Sequence, residues 1–289
     1  MGTLAYVNGE LMPEEQATVS VFDAGLNFAD GVFEGVRVYG GKVFRLDEHL
    51  DRLYASAATF ELNIGMEKDE FASEILRWLT ANGVKDDFHF RPIVTRGKRF
   101  PPRMDPRFSK DDSTVIIVGG PVSPAGAGMR VVVSPVERPA PAALPAHVKS
   151  LSYGPALLAR LDAIRKGVDE AIMLDELGLV AEASVANVFA VTDGALLTPQ
   201  PRACLDGITR RAVMALGRDA GMTVVEVGLT PEALASADEV FLTGTSAEVT
   251  PVLELDGRAL GDGAGPVTGK LRAAYAELTR SEGTPIPAS

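Results

Sequence analysis

One cysteine, Cys204, is all the chain has, which excludes a disulfide within it and a cysteine-rich metal centre and suits a reducing cytoplasm. Histidine is nearly as scarce. His49, His89 and His147 show no paired helical spacing, so no metal site is expected, and His49 and His147 read as structural. Long apolar runs are missing too: stretches such as 130–133 have the length of a strand, far below the roughly 20 residues that a membrane helix needs. The start, Met1-Gly2-Thr3-Leu4-Ala5-Tyr6, has no basic segment leading into an apolar one and no Ser or Thr at position six. Neither export nor lipid anchoring is expected from it. Positive charge is in deficit. With 28 basic against 39 acidic residues, the net charge of −11 repels nucleic acid and anionic membranes, although a local basic pocket can still hold a small anion. No serine sits in a Gly-x-Ser-x-Gly elbow, and Gly265-Pro266-Val267-Thr268-Gly269-Lys270 is one residue short of a phosphate loop, with Leu271 where Ser or Thr is required. Hydrolase, metalloenzyme and P-loop readings therefore lack support.

What is present suffices for a sizeable core, because 289 residues exceed one ordinary core and point to two domains or one large one. Asn8-Gly9 between 4–7 and 10–12 marks a hairpin, and 19–22 reads as a strand. Leu46, Leu50, Leu53, Tyr54 and Ala57 recur at helical spacing over 46–60, and a second helix over 68–81 stops at Asn82-Gly83. Strands at 87–96 and 113–118 complete a first α/β unit. Glycine and proline then break both patterns over 119–128, the expected interdomain loop between a domain at 1–118 and one at 129–289. The second domain opens with a strand at 129–136, a Pro-rich passage to 145 and a helix at 155–166. A meander follows at 171–175, 179–183, 187–191 and 195–199, then a helix at 208–221, strands at 239–243 and 249–255, and a helix at 267–279.

Lys149 stands in a short polar island, Ala146-His147-Val148-Lys149-Ser150-Leu151-Ser152-Tyr153-Gly154, after the Pro-rich approach and before a helix. A lysine amine forms a Schiff base when burial or nearby cations lower its pKa, yet a lysine taken alone is ordinarily a solvated surface group. Glu182 interrupts the apolar strand Leu179-Val180-Ala181-Glu182-Ala183. Buried, it can hold a proton on the ring nitrogen of an electron-sink cofactor; on the solvent face of an edge strand it does nothing of the kind. Gly207-Ile208-Thr209 opens a helix whose free amides and Thr209 hydroxyl suit an anion, and Gly244-Thr245-Ser246 offers a second such turn. Each is also ordinary cap or turn chemistry. Arg52 supplies a cation to the same anion or is simply an exposed helix arginine.

Taken in order these segments resemble the class IV, or fold-type IV, pyridoxal-phosphate enzymes, which include branched-chain and D-amino acid aminotransferases, (R)-amine transaminases and aminodeoxychorismate lyases. The likeness rests on Gly31-Val32-Phe33-Glu34-Gly35-Val36-Arg37-Val38-Tyr39, Phe44-Arg45-Leu46-Asp47-Glu48-His49-Leu50-Asp51-Arg52-Leu53, Lys149 with Tyr153, Glu182 with Asn187-Val188-Phe189, Gly207-Ile208-Thr209, and 243–252. It implies an α/β (α+β) two-domain fold, with a small N-terminal α/β domain and a larger C-terminal domain around a β-barrel-like sheet. It also implies that pyridoxal 5'-phosphate sits on Lys149 as a Schiff base, with Glu182 on the ring nitrogen and Tyr153 on the ring hydroxyl. Arg52, Ile208, Thr209 and Thr245 then hold the phosphate, Ser246 is a further cofactor-binding residue, and Lys149 moves the proton in a ping-pong exchange between an amino donor and a 2-oxo acid acceptor. The family's site is completed by a partner copy, so a homodimer is implied. Phe33, Gly35 and Arg37 match the substrate pocket of branched-chain aminotransferases, and His89-Phe90-Arg91-Pro92 resembles their Tyr-Ile-Arg-Pro strand. Phe28, His89, Arg91 and Ala247 complete the expected substrate contacts, with Phe28 and His89 standing where those enzymes carry tyrosine. A D-amino acid or (R)-amine donor is the alternative, a lyase a more distant one and a non-catalytic binding protein the last.

Overall fold

The computed structural model describes residues 3–109, 112–123 and 126–288. Positions 124 and 125 of the expected interdomain loop, and Met1-Gly2 at the start, lie outside the described residues. Two compact units account for the chain: Met1–Ser123 with Val148–Ser152 and Thr279–Ser289, and Pro124–His147 with Tyr153–Leu278. The first unit thus takes in the five residues around Lys149, which a division of the sequence at 119–128 assigns to the second.

In the first unit an eight-stranded antiparallel sheet runs Thr284–Pro285, Lys42–Val43, Val36–Tyr39, Phe88–Thr95, Thr114–Pro121, Leu4–Val7, Glu10–Pro13, with Gly31–Phe33 also paired to Phe88–Thr95. Its apolar face is covered by the helices Leu46–Thr59 and Lys68–Ala81. Ile75 lies four residues after Phe71, and Trp78 and Leu79 lie three and four after Ile75, so one stripe of the second helix buries all four in the core that holds Val36, Val38 and Phe90. Trp78 Nε1 also donates to the Leu4 carbonyl at 2.6 Å, which satisfies the one polar atom of the largest core side chain. The expected strand at 19–22 does not form. Val21 is 71 % exposed, and the chain turns there into a short helix, Ala24–Phe28, whose first turn is capped by the Asp23 carboxylate. The run through Gly119, Gly120 and Pro121 does not break the sheet either: these residues extend Thr114–Pro121 opposite Phe90, His89 and Phe88. Pro121 ends the strand, where its missing N–H costs no ladder bond.

The second unit holds a nine-stranded sheet in the order Val180–Ala183, Glu170–Leu174, Met129–Val133, Glu248–Leu255, Glu239–Gly244, Asn187–Thr192, Ala195–Pro199, Val224–Val227, with Arg258–Ala259 on Glu248–Leu255. Met129–Val133 is parallel to both neighbours, and Val224–Val227 is parallel to Ala195–Pro199. The expected meander is therefore split. Val180–Ala183 ends the ladder order while Asn187–Thr192 pairs with Glu239–Gly244, yet the two touch, with the Ala183 amide donating to the Ala186 carbonyl at 2.7 Å. The sheet curls back on itself as a barrel-like core, filled by Val131, Ile172, Val188, Val240 and Leu242. Helices Gly154–Arg165, Ile208–Asp219, Pro231–Ala235 and, as far as Leu278, Pro266–Ser281 complete the unit; the Val224–Val227 strand and the Pro231–Ala235 helix have no counterpart among the sequence expectations. No described helix is long and apolar enough to cross a membrane.

Candidate active site

Lys149 is clamped to the first unit by backbone. Its carbonyl accepts from the Phe33 amide at 3.0 Å, the Leu151 amide donates to Gly31 at 3.0 Å, and Ser150 bridges Val32, so Val148–Ser152 lies along Gly31–Phe33 like an added strand. Gly31 makes that approach possible: a Cβ there would stand 2.8 Å from Leu151 Cδ1 and 2.6 Å from the Val94 carbonyl. The Lys149 amide donates to Ser56 Oγ at 3.1 Å, and its ammonium lies 4.6 Å from the centre of the Phe33 ring.

The buried stripe of Leu46–Thr59 carries two polar residues among its apolar ones, His49 and Ser56. Ser56 serves Lys149; His49 serves Glu34. The Glu34 carboxylate is fully buried and accepts from Arg52 Nε at 2.6 Å, Arg52 Nη2 at 2.9 Å and the Gly35 amide at 3.2 Å, with His49 Nδ1 at 2.8 Å. Burial by itself raises a carboxyl, but Arg52 and His49 more than reverse that and hold Glu34 well below the usual carboxylate range. Burial lowers the His49 pKa, and the Glu34 charge opposes that shift without cancelling it. Arg52 is thus no freely exposed helix arginine: two of its nitrogens grip a buried anion, and its side chain is 12 % exposed.

Of the expected substrate residues of this unit, Arg91 lies against Phe33. Arg91 stacks 4.2 Å above the Phe33 ring centre, and Arg37, buried, ion-pairs with Asp87 at 2.9 Å. Gly35 and His89 adjoin, since a Cβ on Gly35 would lie 3.0 Å from His89 Nε2. Burial first, then Arg91, Arg37 and Lys149, push the His89 pKa down to about 4, so the ring is neutral at physiological pH. Phe28 lies elsewhere in its contacts, under Arg99 at 5.1 Å, while Arg99 and Arg96 both pair with Asp30. These two arginines of the 96–107 loop are committed to fixing it.

In the second unit Glu182 is buried, not on a solvent face. Between Val180 and Glu182 two residues answer to one on Glu170–Leu174, a bulge of the kind that re-aims a side chain. Arg138 pairs with Oε1 at 2.9 Å, while Oε2 accepts from the Leu205 amide at 3.1 Å and Asn187 Nδ2 at 3.3 Å. Asn187 Nδ2 also donates to the Leu205 carbonyl at 2.7 Å, tying the turn before the next helix to the same carboxylate. Cys204 lies beside this cluster; burial, and next the Glu182 charge, push its thiol up to about 12.

Ile208 and Thr209, both buried, form the first turn of Ile208–Asp219 behind the N-cap Gly207. Gly207 has no space for a side chain, since a Cβ would meet Asn187 Oδ1 at 2.1 Å. Thr245, Ser246 and Ala247 form the turn of the hairpin between Glu239–Gly244 and Glu248–Leu255, Ser246 exposed and the other two half-buried. The Ile208–Asp219 helix packs on Glu239–Gly244, so both anion-suited turns belong to one packed element pair. Tyr153 stands at the N-cap position of Gly154–Arg165, without a side-chain capping bond, and is 36 % exposed. Among the described residues no group of three or more His, Cys, Asp and Glu is placed to hold a metal.

Sequence reasoning passed over Glu34, Arg138, Asn187 and Tyr275 as single residues. The signal for the first was available, because His49 falls on an otherwise apolar helical stripe and needs a buried partner. Arg138 had none: it stands far from Glu182 in the sequence, in an irregular Pro-rich stretch.

The chain is similar in structure to solved aminotransferases. With the crystal structure of a branched-chain aminotransferase from the archaeon Thermoproteus uzoniensis with norvaline, the TM-score is 0.90 at 34 % identity, covering 98 % of this chain and 97 % of that one. Residues 31–255 match the amino-transferase class IV family, and the chain belongs to that family. A putative branched-chain-amino-acid aminotransferase of Methanocaldococcus jannaschii is 40 % identical over 285 residues, 97 % of this chain and 98 % of that protein. Branched-chain-amino-acid aminotransferase-like protein 2 of Arabidopsis thaliana is 39 % identical over 288 residues, 98 % of this chain; the chain spans about half of that relative, 52 % of its length. Class IV aminotransferases use pyridoxal 5'-phosphate. The residues fit that group: a buried carboxylate held by three donors suits a protonated ring nitrogen, and the Thr209 hydroxyl in the first turn of a helix suits a phosphate.

Proposed function

We propose that the chain is an amino-acid:2-oxo-acid aminotransferase of the branched-chain type, working through Lys149 in a ping-pong exchange. The observation that carries the substrate class is Phe33, an apolar ring with the Arg91 guanidinium 4.2 Å from its centre. An aliphatic side chain packs on such a ring, and a carboxylate is drawn to such a cation. Neutral His89 adds a hydrogen-bonding group without adding charge, and Phe28, Arg37 and Ala247 complete the assigned substrate contacts. When bound, pyridoxal phosphate would supply the electron sink, with the Lys149 amine as its covalent anchor. Glu182 would face the ring nitrogen and Tyr153 the ring hydroxyl; Arg52, Ile208, Thr209 and Thr245 would hold the phosphate, with Ser246 in the same turn. The Lys149 amine would also serve as the general acid and base that moves the substrate α-proton.

The homodimer belongs to the same reading, supported by Leu157, Leu158, Leu161 and Ile164, which leave one helix with an exposed apolar face, and by exposed Val21, Leu26, Phe100 and Met104. The test is an assay of L-leucine, D-alanine and (R)-1-phenylethylamine with 2-oxo acids. Turnover of L-leucine with parallel double-reciprocal lines is expected, and its loss along with the visible chromophore in Lys149→Ala. Turnover of only D-alanine or the amine, or intersecting lines, overturns the assignment.

A further inference from the structure

Thr209 does not act alone at the start of its helix. Tyr275, on Pro266–Ser281, brings its phenolic oxygen to 3.4 Å from Thr209 Oγ1, and the two side chains are 2 % and 4 % exposed. Thr268, Leu271 and Tyr275 form the inward stripe of that helix at three- and four-residue steps, so a phenylalanine at 275 would fill the same space. The hydroxyl is the part that packing does not require.

A hydroxyl has one proton to donate and lone pairs to accept with. An anion only accepts. A threonine that binds one must therefore donate its single proton to it, which leaves Oγ1 as an acceptor towards the protein. Tyr275 is the group placed to fill that acceptor. We infer that Tyr275 is a positioning residue of the phosphate site: it donates to Thr209 Oγ1, holds the threonine rotor with its proton directed at the anion, and polarises that proton through the two-hydroxyl chain. The inference rests on the reading that Thr209 binds the cofactor phosphate.

The test compares two ligands on the cofactor-free full chain, pyridoxal phosphate and pyridoxal, which shares the ring and aldehyde but has no phosphate. Tyr275→Phe is expected to raise the dissociation constant for pyridoxal phosphate about three- to tenfold and leave that for pyridoxal unchanged. Equal weakening of both ligands, the mark of a merely structural role, overturns the inference; so does no weakening of either. Thr209→Val separates the two levels. If it weakens pyridoxal phosphate while Tyr275→Phe does not, this inference alone fails; if it has no effect, the phosphate reading fails and takes the inference with it. Because Tyr275 acts through Thr209, the double variant is expected to bind no more weakly than Thr209→Val, and an additive loss counts against the relay.

Discussion

Glu34 in the first unit and Glu182 in the second are both buried carboxylates, but they are stabilised by different means. Glu34 is wholly enclosed, with a bidentate arginine, a histidine and a backbone amide on its two oxygens. Glu182 has one arginine and two neutral donors, and its side chain keeps 10 % exposure. The contrast lies in how the arginine is shared. On Glu34 it reaches both oxygens, with His49 and the Gly35 amide beside it, and so ties the Leu46–Thr59 helix to the Gly31–Phe33 strand. On Glu182 it takes one oxygen only, and two neutral donors hold the other.

The comparison breaks most visibly under truncation. Glu34→Ala leaves Arg52 without its counter-charge and buried His49 without its hydrogen-bond partner, and a loss of about 3–5 kcal/mol in denaturant unfolding is expected; a loss below about 1 kcal/mol would remove the clamp from the argument. Its pKa lies below the unfolded value of 4.5, so this contribution is complete above that pH and is lost only well into acid.

His89 sharpens the contrast from the other side. Its pKa falls from 6.5 in the unfolded chain to about 4, so between those values the unfolded state binds a proton that the native state refuses. Stability is expected to fall by about 1–3 kcal/mol from pH 7 to pH 4 on this account, and His89→Phe should flatten that slope in pH-dependent melting. A slope unchanged in the variant shows that other groups set it.

Glu182→Gln should do the reverse of Glu34→Ala. It keeps the shape and loses the charge, so unfolding is expected to shift by about 1 kcal/mol while turnover falls about a hundredfold. Equal damage to stability and turnover would erase the distinction. The smallest effect concerns Cys204: with its thiol pushed up to about 12 by burial, iodoacetamide at pH 8 should label it only after denaturant is added.

Much of this was legible in advance where a local rule decides. The helices at 46–59 and 68–81 follow from apolar spacing, Asn8-Gly9 places its hairpin, and Asn82-Gly83 ends its helix, Gly83 taking a φ of +62°. The strand expected at 19–22 failed because β-branched residues there read like a strand, whereas the Asp23 cap and open solvent around Val21 favour a turn into a helix. Gly119 and Gly120 misled for the opposite reason: glycine breaks an isolated strand, but here Phe88–Thr95 supplies a ladder on which both are held.

By itself the sequence determined which chemical groups exist and which stretches are helical or extended, because hydrophobic period, capping and turn residues act within a few positions of one another. It also carried enough ordered motifs to mark the family. Tertiary structure alone decided that Val148–Ser152 joins Gly31–Phe33, that a bulge turns Glu182 inward to Arg138, and that Tyr275 meets Thr209. These are contacts between residues tens of positions apart, and no local period encodes a partner that only the folding of a curled sheet brings within hydrogen-bonding distance.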